Sequence, residues 1–276
     1  MPLLLPPMKQ LSHGTIARNA SQSANPSLWR GLVGAWDATL GITSASDGLL
    51  RDESGFGRHG TLTGPMIRPT YGWNISELGY MIKMEGSNDH VDVGTFPQTV
   101  GEYTAAGWAR HLTTTNGTLI DHSSGANDGW RVSSAAANAF SLTLGGVAGY
   151  TFSSLTFPGA TDAAWSFWAV TVKGTTATGY VNNGSETKTI GALVGTPSTL
   201  IMGRLKFTSA NHWSGEIAKT FVWNRALAPN EVKKLYQDHL APFRRRDLVI
   251  PYATPAAASG LPIPVAMHHY THNLRG

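Results

Sequence analysis

Acidic residues are the first candidates for chemistry in this chain, because a pair of carboxylates can hydrolyse a glycosidic bond. That reaction needs one acid and one nucleophile or base, held about 5 to 9.5 Å apart. The chain of 276 residues has only 17 Asp and Glu residues, and most of them fall in predicted loops. The sequence therefore predicts a protein that is not an enzyme.

Calcium binding is a second chemistry open to the same side chains. Hard cations take oxygen ligands from carboxylates, Asn side chains and loop carbonyls. Asp and Asn in turns also bond their own backbone and tolerate positive φ, so self-bonded turns remain the alternative. The candidate ligands lie at a few predicted turns; they are Asp89, Asp92, Asp121, Asn127 and Asp128.

Aromatic residues near predicted loops are candidates for carbohydrate binding, because an exposed ring can stack on a sugar while amides or carboxylates bond its hydroxyls. These residues are Tyr71, Trp73, Trp130, Tyr150 and Trp213. Any of them could instead be packed in the interior. Four other tryptophans fit predicted strands and are expected in the core, namely Trp36, Trp108, Trp168 and Trp223.

Several function classes are excluded by composition and motif content. The chain has no cysteine and a formal net charge of +4, which excludes disulfides and thiolate sites and does not indicate nucleic-acid binding. No catalytic serine elbow or phosphate-binding loop occurs. We find no signal peptide and no apolar run long enough to span a membrane. The basic triplet Arg244, Arg245 and Arg246, with Tyr270 in a His-rich tip, is predicted to dock on a partner or to be solvated.

Three regions are predicted along the chain. Residues 1–29 and 241–276 are rich in Pro and Ala and are expected to form extended arms. Residues 30–240 alternate apolar and polar positions between turn signals, as is typical of strands. One helix is expected to begin at Pro229, since proline suits the first helical position, and to be stopped by Pro242.

A helix after the last strand and many short strands predict an all-β fold. We expect a two-sheet antiparallel jelly-roll sandwich with one short C-terminal helix and two extended arms. The segment 166–173 places Trp168, Val170 and Val172 on one face and Phe167 and Ala169 on the other. This strand is therefore expected to be covered on both sides.

Five sequence blocks, in order, resemble the laminin-G-like jelly rolls of the concanavalin A-like superfamily. The loop at 52–62 is similar to the family's D-x-S-G-x-G-x-x-G-x-L pattern, and 84–93 is similar to its F-D-G-S-N-D-Y-V-D-V hairpin. The other similar blocks are 32–36, 165–184 and 215–236. We expect Asp52 or Ser54 to bond its own loop and Arg225 to tie the last strand to the helix. The resemblance implies the fold, whereas the E-x-D-x-x-E strand of the family's glucan hydrolases is missing.

The two arms direct the functional expectation. Extended arms that order on a neighbouring subunit are common in assembled shells, and stand-alone laminin-G-like proteins of bacteriophages resemble this chain. We expect a virion structural protein, made in the host cytoplasm, that acts as a capsid decoration, head-fibre or tail-associated subunit. Its partners would be other virion proteins and further copies of itself, and its jelly roll could contact host glycans. The alternative is a free bacterial carbohydrate-binding module.

Overall fold

The computed structural model describes ten segments of the chain, and all of them belong to one compact unit that extends to Arg246. The described residues are 16–40, 48–64, 78–97, 101–113, 116–124, 128–145, 148–158, 164–193, 195–206 and 210–246. They form an antiparallel two-sheet sandwich, which confirms the predicted jelly-roll class. No helix among these segments is long and apolar enough to cross a membrane.

The described residues form fifteen strands and one α-helix. The strands of its first half are β1 Leu32–Asp37, β2 Leu49–Leu50, β3 Gly60–Thr63, β4 Ile82–Glu85, β5 His90–Thr95, β6 Glu102–His111, β7 Gly117–His122 and β8 Trp130–Ser134. The second half contains β9 Ala139–Leu144, β10 Ala148–Thr156, β11 Ser166–Lys173, β12 Thr176–Val181, β13 Gly184–Thr189, β14 Thr199–Met202, β15 Ser214–Trp223 and α1 Pro229–Gln237.

The strands divide into a seven-stranded and an eight-stranded sheet. The seven-stranded sheet has the order β1-β15-β6-β11-β12-β13, with β4 also paired to β15. The eight-stranded sheet has the order β10-β9-β8-β7-β14-β5-β3-β2. The first and last strands of the fold, β1 and β15, are therefore neighbours in one sheet.

The strand β11, inside the seven-stranded sheet, is buried on both faces, as predicted. Trp168 and Val170 belong to the apolar cluster shared with the eight-stranded sheet. Phe167 and Ala169 belong to a second cluster that includes Val232 of α1. A strand covered on both faces reads as a nearly continuous apolar run, and every residue of β11 except Lys173 is buried.

The predicted hairpin at 84–93 is wrong in its pairing. Its two strands lie in different sheets, because β4 pairs with β15 while β5 pairs with β3 and β14. The turn between them is a corner of the sandwich, held by Asp89, whose Oδ2 accepts a hydrogen bond from the Glu85 N–H at 2.7 Å. Met84 and Val91 both face the core between the sheets. The alternation of apolar and polar residues is the same in a hairpin and in a corner of this kind, so the sequence pattern does not distinguish them.

The described parts of the predicted arms are packed against the domain itself. Ile16 and Leu28 are buried in the second cluster, and Phe243 from the other arm is 1% exposed beside them. A 3-10 helix, Pro26–Trp29, carries Leu28 into this layer. The folded unit thus extends on both sides of 30–240, because the outer face of the seven-stranded sheet needs an apolar cover.

The predicted helix is confirmed, with Pro229 at its start, although it ends at Gln237 rather than at Pro242. Arg225 donates to both carboxylate oxygens of Glu231 at 2.7 and 2.8 Å and to the carbonyl of Ser27 at 2.8 Å. Arg225 therefore ties the last strand to the helix, as expected. Pro242 lies in a further 3-10 helix, Ala241–Phe243.

Candidate functional site

Two of the aromatic residues predicted to bind sugar are buried, and this prediction is corrected for them. Trp130 is 1% exposed and Trp213 is not exposed at all. Trp130 stacks on Tyr103 with ring centroids 4.7 Å apart, and Trp213 lies against His111. A ring that packs inside the sandwich has no face left for a ligand.

Of the other three aromatic residues predicted to bind sugar, Tyr150 is the one that lies within the described residues. Tyr150 lies on β10 at the edge of the eight-stranded sheet and is half-buried. Its hydroxyl accepts a hydrogen bond from the Gly191 N–H at 2.7 Å. Tyr71 and Trp73 lie outside the described residues.

The predicted calcium ligands Asp92 and Asp121 lie on different strands, and calcium binding remains a prediction. Asp92 on β5 and Asp121 on β7 are separated by β14, which places their backbones about 10 Å apart at the usual strand spacing. Asp89 lies at the corner after β4, and Asn127 is outside the described residues. Within the described segments, no cluster of three or more His, Asp or Glu residues could hold a metal ion.

The described carboxylates accept hydrogen bonds from backbone N–H groups, which for Asp92 and Asp128 belong to the same loop as the carboxylate. Asp92 accepts from the Gly94 N–H at 2.8 Å, and Asp128 accepts from the backbone and hydroxyl of Ser124. Burial raises the pKa of Asp121, whose Oδ2 accepts from the Lys206 N–H at 2.9 Å. For Asp92 and Asp128 this arrangement is the self-bonded turn that the sequence left open, whereas the Lys206 that bonds Asp121 lies 85 positions away.

The glycine-rich loop of the family motif likewise serves the fold. Asp52 accepts hydrogen bonds from the backbone N–H groups of Ala35, Ser54 and Arg58 at 2.9 to 3.0 Å. The Ser54 hydroxyl donates to its second oxygen at 2.8 Å. The expectation that Asp52 or Ser54 bonds its own loop is confirmed, and these side chains have little capacity left for a ligand.

The basic triplet lies at the surface. Arg244, Arg245 and Arg246 are all exposed, and Arg244 forms a bidentate ion pair with Asp238 at 2.7 and 3.0 Å. That pairing raises the pKa of the Arg244 guanidinium. Partner docking by this triplet remains a prediction, and Tyr270 lies outside the described residues.

A cleft of about 260 Å³ lies between α1 and the turn that joins β12 to β13. The strands supply Phe167, Tyr180, Gly184 and Ser185, the turn supplies Asn182 and Asn183, and the helix supplies Pro229, Val232, Lys233 and Tyr236. Small-molecule sites in proteins usually have volumes of about 300 Å³ or more, so this cleft is smaller than usual and has room for at most a group the size of one sugar ring.

Two tyrosines form the aromatic part of the cleft. Tyr180 and Tyr236 are both half-buried, so each ring keeps an accessible portion. Tyr236 is held by packing on Trp108, with parallel rings 5.9 Å apart, and on Phe167 at 5.7 Å. Burial raises the pKa of Tyr180, so its hydroxyl is protonated at neutral pH.

The turn beside these rings is fixed by its own geometry. Val181 pairs directly with Gly184, so the two-residue turn is Asn182-Asn183. Asn182 has a φ of 52°, a left-handed conformation that Asn tolerates. Its side-chain oxygen accepts from the Phe167 N–H at 3.0 Å, which anchors the turn to β11 and leaves Asn183 at the rim.

The rim carries three polar side chains that are free to bind. Asn183, Ser185 and Lys233 are exposed, and their side chains form no hydrogen bond or ion pair with other described residues. Among the described residues that line the cleft, none is Asp or Glu. The arrangement offers ring faces, hydroxyls, one amide and one ammonium, which can bind a polar ring but cannot supply a carboxylate pair.

Sequence reasoning missed Tyr180 and Tyr236 as a pair. One was assigned to a strand and the other to a helix 56 positions later in the chain. Their proximity depends on how α1 packs on the seven-stranded sheet, and local periodicity carries no signal for that packing.

Comparison with known proteins identifies the fold family. The sequence profile described as the concanavalin A-like lectin/glucanases superfamily, of laminin-G type, matches residues 85–233. The chain belongs to this superfamily. No curated protein gives a significant match to the chain.

Solved structures of the same fold come from several kinds of protein. The binding domain of botulinum neurotoxin DC in complex with SialylT has a TM-score of 0.55 and 14% identity, over 77% of this chain and 52% of that one. Domain 4 of the arabinanase AbnA from Geobacillus stearothermophilus, in complex with arabinotriose, has a TM-score of 0.55 and 17% identity. The match covers 75% of this chain and 98% of that domain. Trypanosoma rangeli sialidase in complex with sialic acid has a TM-score of 0.56 and 14% identity. The match covers 76% of this chain and 33% of the sialidase chain.

These similarities concern the fold. The chain spans about half the length of the neurotoxin binding domains that it matches, and every identity is below 20%. Almost the full length of the arabinanase domain is covered, so a jelly roll of this kind also occurs as a single module.

Proposed function

We propose that this protein is a non-catalytic carbohydrate-binding domain whose site is the cleft between α1 and the β12–β13 turn. The observation that carries the proposal is the pair of half-exposed rings, Tyr180 and Tyr236, beside the unbonded rim side chains of Asn183, Ser185 and Lys233. Aromatic faces pack on the apolar C–H face of a sugar, while the rim groups bond its hydroxyls.

A lack of acidic residues supports binding without hydrolysis. A glycosidase needs two carboxylates across the scissile bond, and the described lining of the cleft contains neither Asp nor Glu. The structures of similar fold include an arabinanase domain in complex with arabinotriose. That likeness supports a glycan-binding role and leaves the identity of the glycan to experiment.

The expected affinity follows from the size of the site. One sugar ring has about 12 heavy atoms, and about 0.3 kcal/mol per atom gives roughly 4 kcal/mol, or a Kd near 1 mM. Longer glycans are expected to bind more tightly through contacts outside the cleft.

Screening on a glycan array, followed by calorimetry with the best ligand, tests the proposal. We expect Lys233→Ala and Asn183→Ala to weaken binding about threefold to tenfold, equivalent to about 1 kcal/mol per lost hydrogen bond. Lys234→Ala is the matched control, because Lys234 is the next residue of α1 and is exposed but does not line the cleft. Equal effects of the Lys233 and Lys234 variants would contradict the site.

A second candidate function, a structural subunit of a bacteriophage particle, is favoured by the position of the two described chain ends. The Ala17 N–H donates to the Phe243 carbonyl at 2.8 Å, and the Arg246 N–H donates to the Gln22 carbonyl at 2.7 Å. The described chain therefore starts and finishes side by side on one face. Described chain ends that lie side by side are suited to attaching a domain to a larger assembly.

Co-sedimentation with purified particles tests this second function. The useful deletions are 1–15 and 247–276, because a larger N-terminal deletion removes Ile16 and Leu28 from the core. Binding to particles that is lost with either deletion supports attachment through the termini. Unchanged sedimentation of both deletion variants would contradict it.

A further inference from the structure

A fully buried lysine and aspartate face each other on the first and last strands of the sandwich. Asp37 of β1 pairs directly with Lys219 of β15 in the antiparallel register. Lys219 Nζ lies 2.5 Å from Asp37 Oδ2, and both side chains are 0% exposed. The carboxyl carbon is therefore within about 3.7 Å of Nζ, since the C–O bond adds at most about 1.2 Å, close to an attack distance.

The pair lies in a largely apolar layer, in which Asp37 Oδ1 also accepts a hydrogen bond from the Thr39 N–H at 2.8 Å. Lys219 follows Ala218 and precedes Phe221 by two positions, and both of these neighbours belong to the cluster that covers the seven-stranded sheet. Two opposite charges in such a layer lose most of their hydration, which their mutual attraction offsets only in part. Proton transfer from the ammonium to the carboxylate gives a neutral amine and a neutral acid, the two partners of an amide condensation.

Two further titratable groups interact electrostatically with the pair. His239 is buried, and burial together with the nearby Lys219 and Arg244 charges lowers its pKa to about 3, so the imidazole is neutral. Its Nδ1 has no hydrogen-bond partner in the described part of the chain. On the aspartate side, burial raises the pKa of Glu53, with a further contribution from Asp37 against the opposing effect of Arg18.

We propose that Lys219 and Asp37 condense to form an intramolecular isopeptide bond. The neutral Nζ attacks the carboxyl carbon of protonated Asp37, so that an N–C bond forms and one C–O bond breaks. The proton that Nζ loses passes to the departing hydroxyl, which leaves as water. The reaction consumes no other reagent.

The position of the bond gives it a structural consequence. Asp37 and Lys219 are 182 residues apart, and they join the first strand to the last. A covalent link there closes nearly the whole sandwich into one loop, just inside the two described chain ends. Force applied through the termini would reach the cross-link before it reached the strands between Asp37 and Lys219.

Intact-mass spectrometry of the denatured full chain tests the proposal. We expect the purified wild-type chain to be lighter than its sequence by one water, about 18 Da. Lys219→Arg keeps a positive charge opposite Asp37 but cannot form the amide, and it is expected to have its full mass. Asp37→Asn would lose ammonia instead of water and so reach the same final mass as the wild type.

Peptide mapping places the bond and supplies an internal control. We expect one linked peptide pair that joins Asp37 to Lys219. The Lys188–Glu186 ion pair, at 2.8 Å but with side chains 30% and 19% exposed, is expected to remain unlinked. A wild-type chain with the full sequence mass would overturn the proposal, as would the same water loss in Lys219→Arg.

Discussion

Replacing Trp168 by alanine removes a large side chain from the centre of the sandwich. The ring is 0% exposed and belongs to the cluster between the two sheets. It lies over Gly107 on β6, where a Cβ atom would approach the ring to 2.9 Å. Its Nε1 has no hydrogen-bond partner among the described residues, so the substitution removes packing and no hydrogen bond.

The magnitude follows from the buried area. A buried aromatic side chain covers about 200 Å², and at about 25 cal/mol per Å² its loss costs about 5 kcal/mol as an upper estimate. Large aromatic residues replaced by alanine typically lose about 3–5 kcal/mol. We therefore expect Trp168→Ala to lower the free energy of unfolding by about 3–5 kcal/mol.

Equilibrium unfolding in urea, followed by circular dichroism, measures this loss. Phe56→Ala is the control, because Phe56 is 58% exposed and contacts only the Arg58 guanidinium among the ring interactions described. Its loss should cost less than about 1 kcal/mol. A loss below about 1 kcal/mol for Trp168→Ala, equal to the control, would refute the placement of β11 in the core.

Two more predictions concern the same stability measurement. Burial lowers the pKa of His122 to about 4 and that of His239 to about 3, so the unfolded chain binds protons below about pH 6.5 that the folded chain does not. Stability should fall by about 2–3 kcal/mol per histidine between pH 7 and about pH 4.5, and an unchanged urea midpoint would contradict this. Gly129→Ala should destabilise far more than Gly101→Ala, since both have positive φ but only Gly129 faces an atom, the His122 carbonyl, at 1.9 Å. The Gly101 variant should lose about 1–2 kcal/mol of stability. Equal losses of stability in the two variants would contradict the described position of Gly129 against His122.

The fold was predictable because its signals are local. The alternation in β11 indicated a strand covered on both faces, and the residues around Pro229 indicated the helix. The pairing of β4 and β5 was not predictable, because both a hairpin and a corner place Met84 and Val91 on an apolar face. A hairpin and a corner differ in strand pairing: here β4 pairs with the distant strand β15, and β5 pairs with the distant strand β14.

The candidate site was not predictable from the sequence for the same physical reason. Trp130 and Trp213 follow loops in the sequence and were expected to be exposed, yet the sandwich encloses both rings. Tyr180 and Tyr236 looked like ordinary strand and helix residues. Their common cleft arises where α1 covers the seven-stranded sheet, and that contact joins segments far apart in the chain.

The most direct test of glycan binding is the position of a bound sugar. NMR chemical-shift mapping with the best ligand from the array measures it on the intact chain, without any substitution. We predict that the largest shift changes cluster at Tyr180, Asn183, Lys233 and Tyr236, around the cleft. Shifts confined to the eight-stranded sheet, with these residues unchanged, would contradict the proposed site.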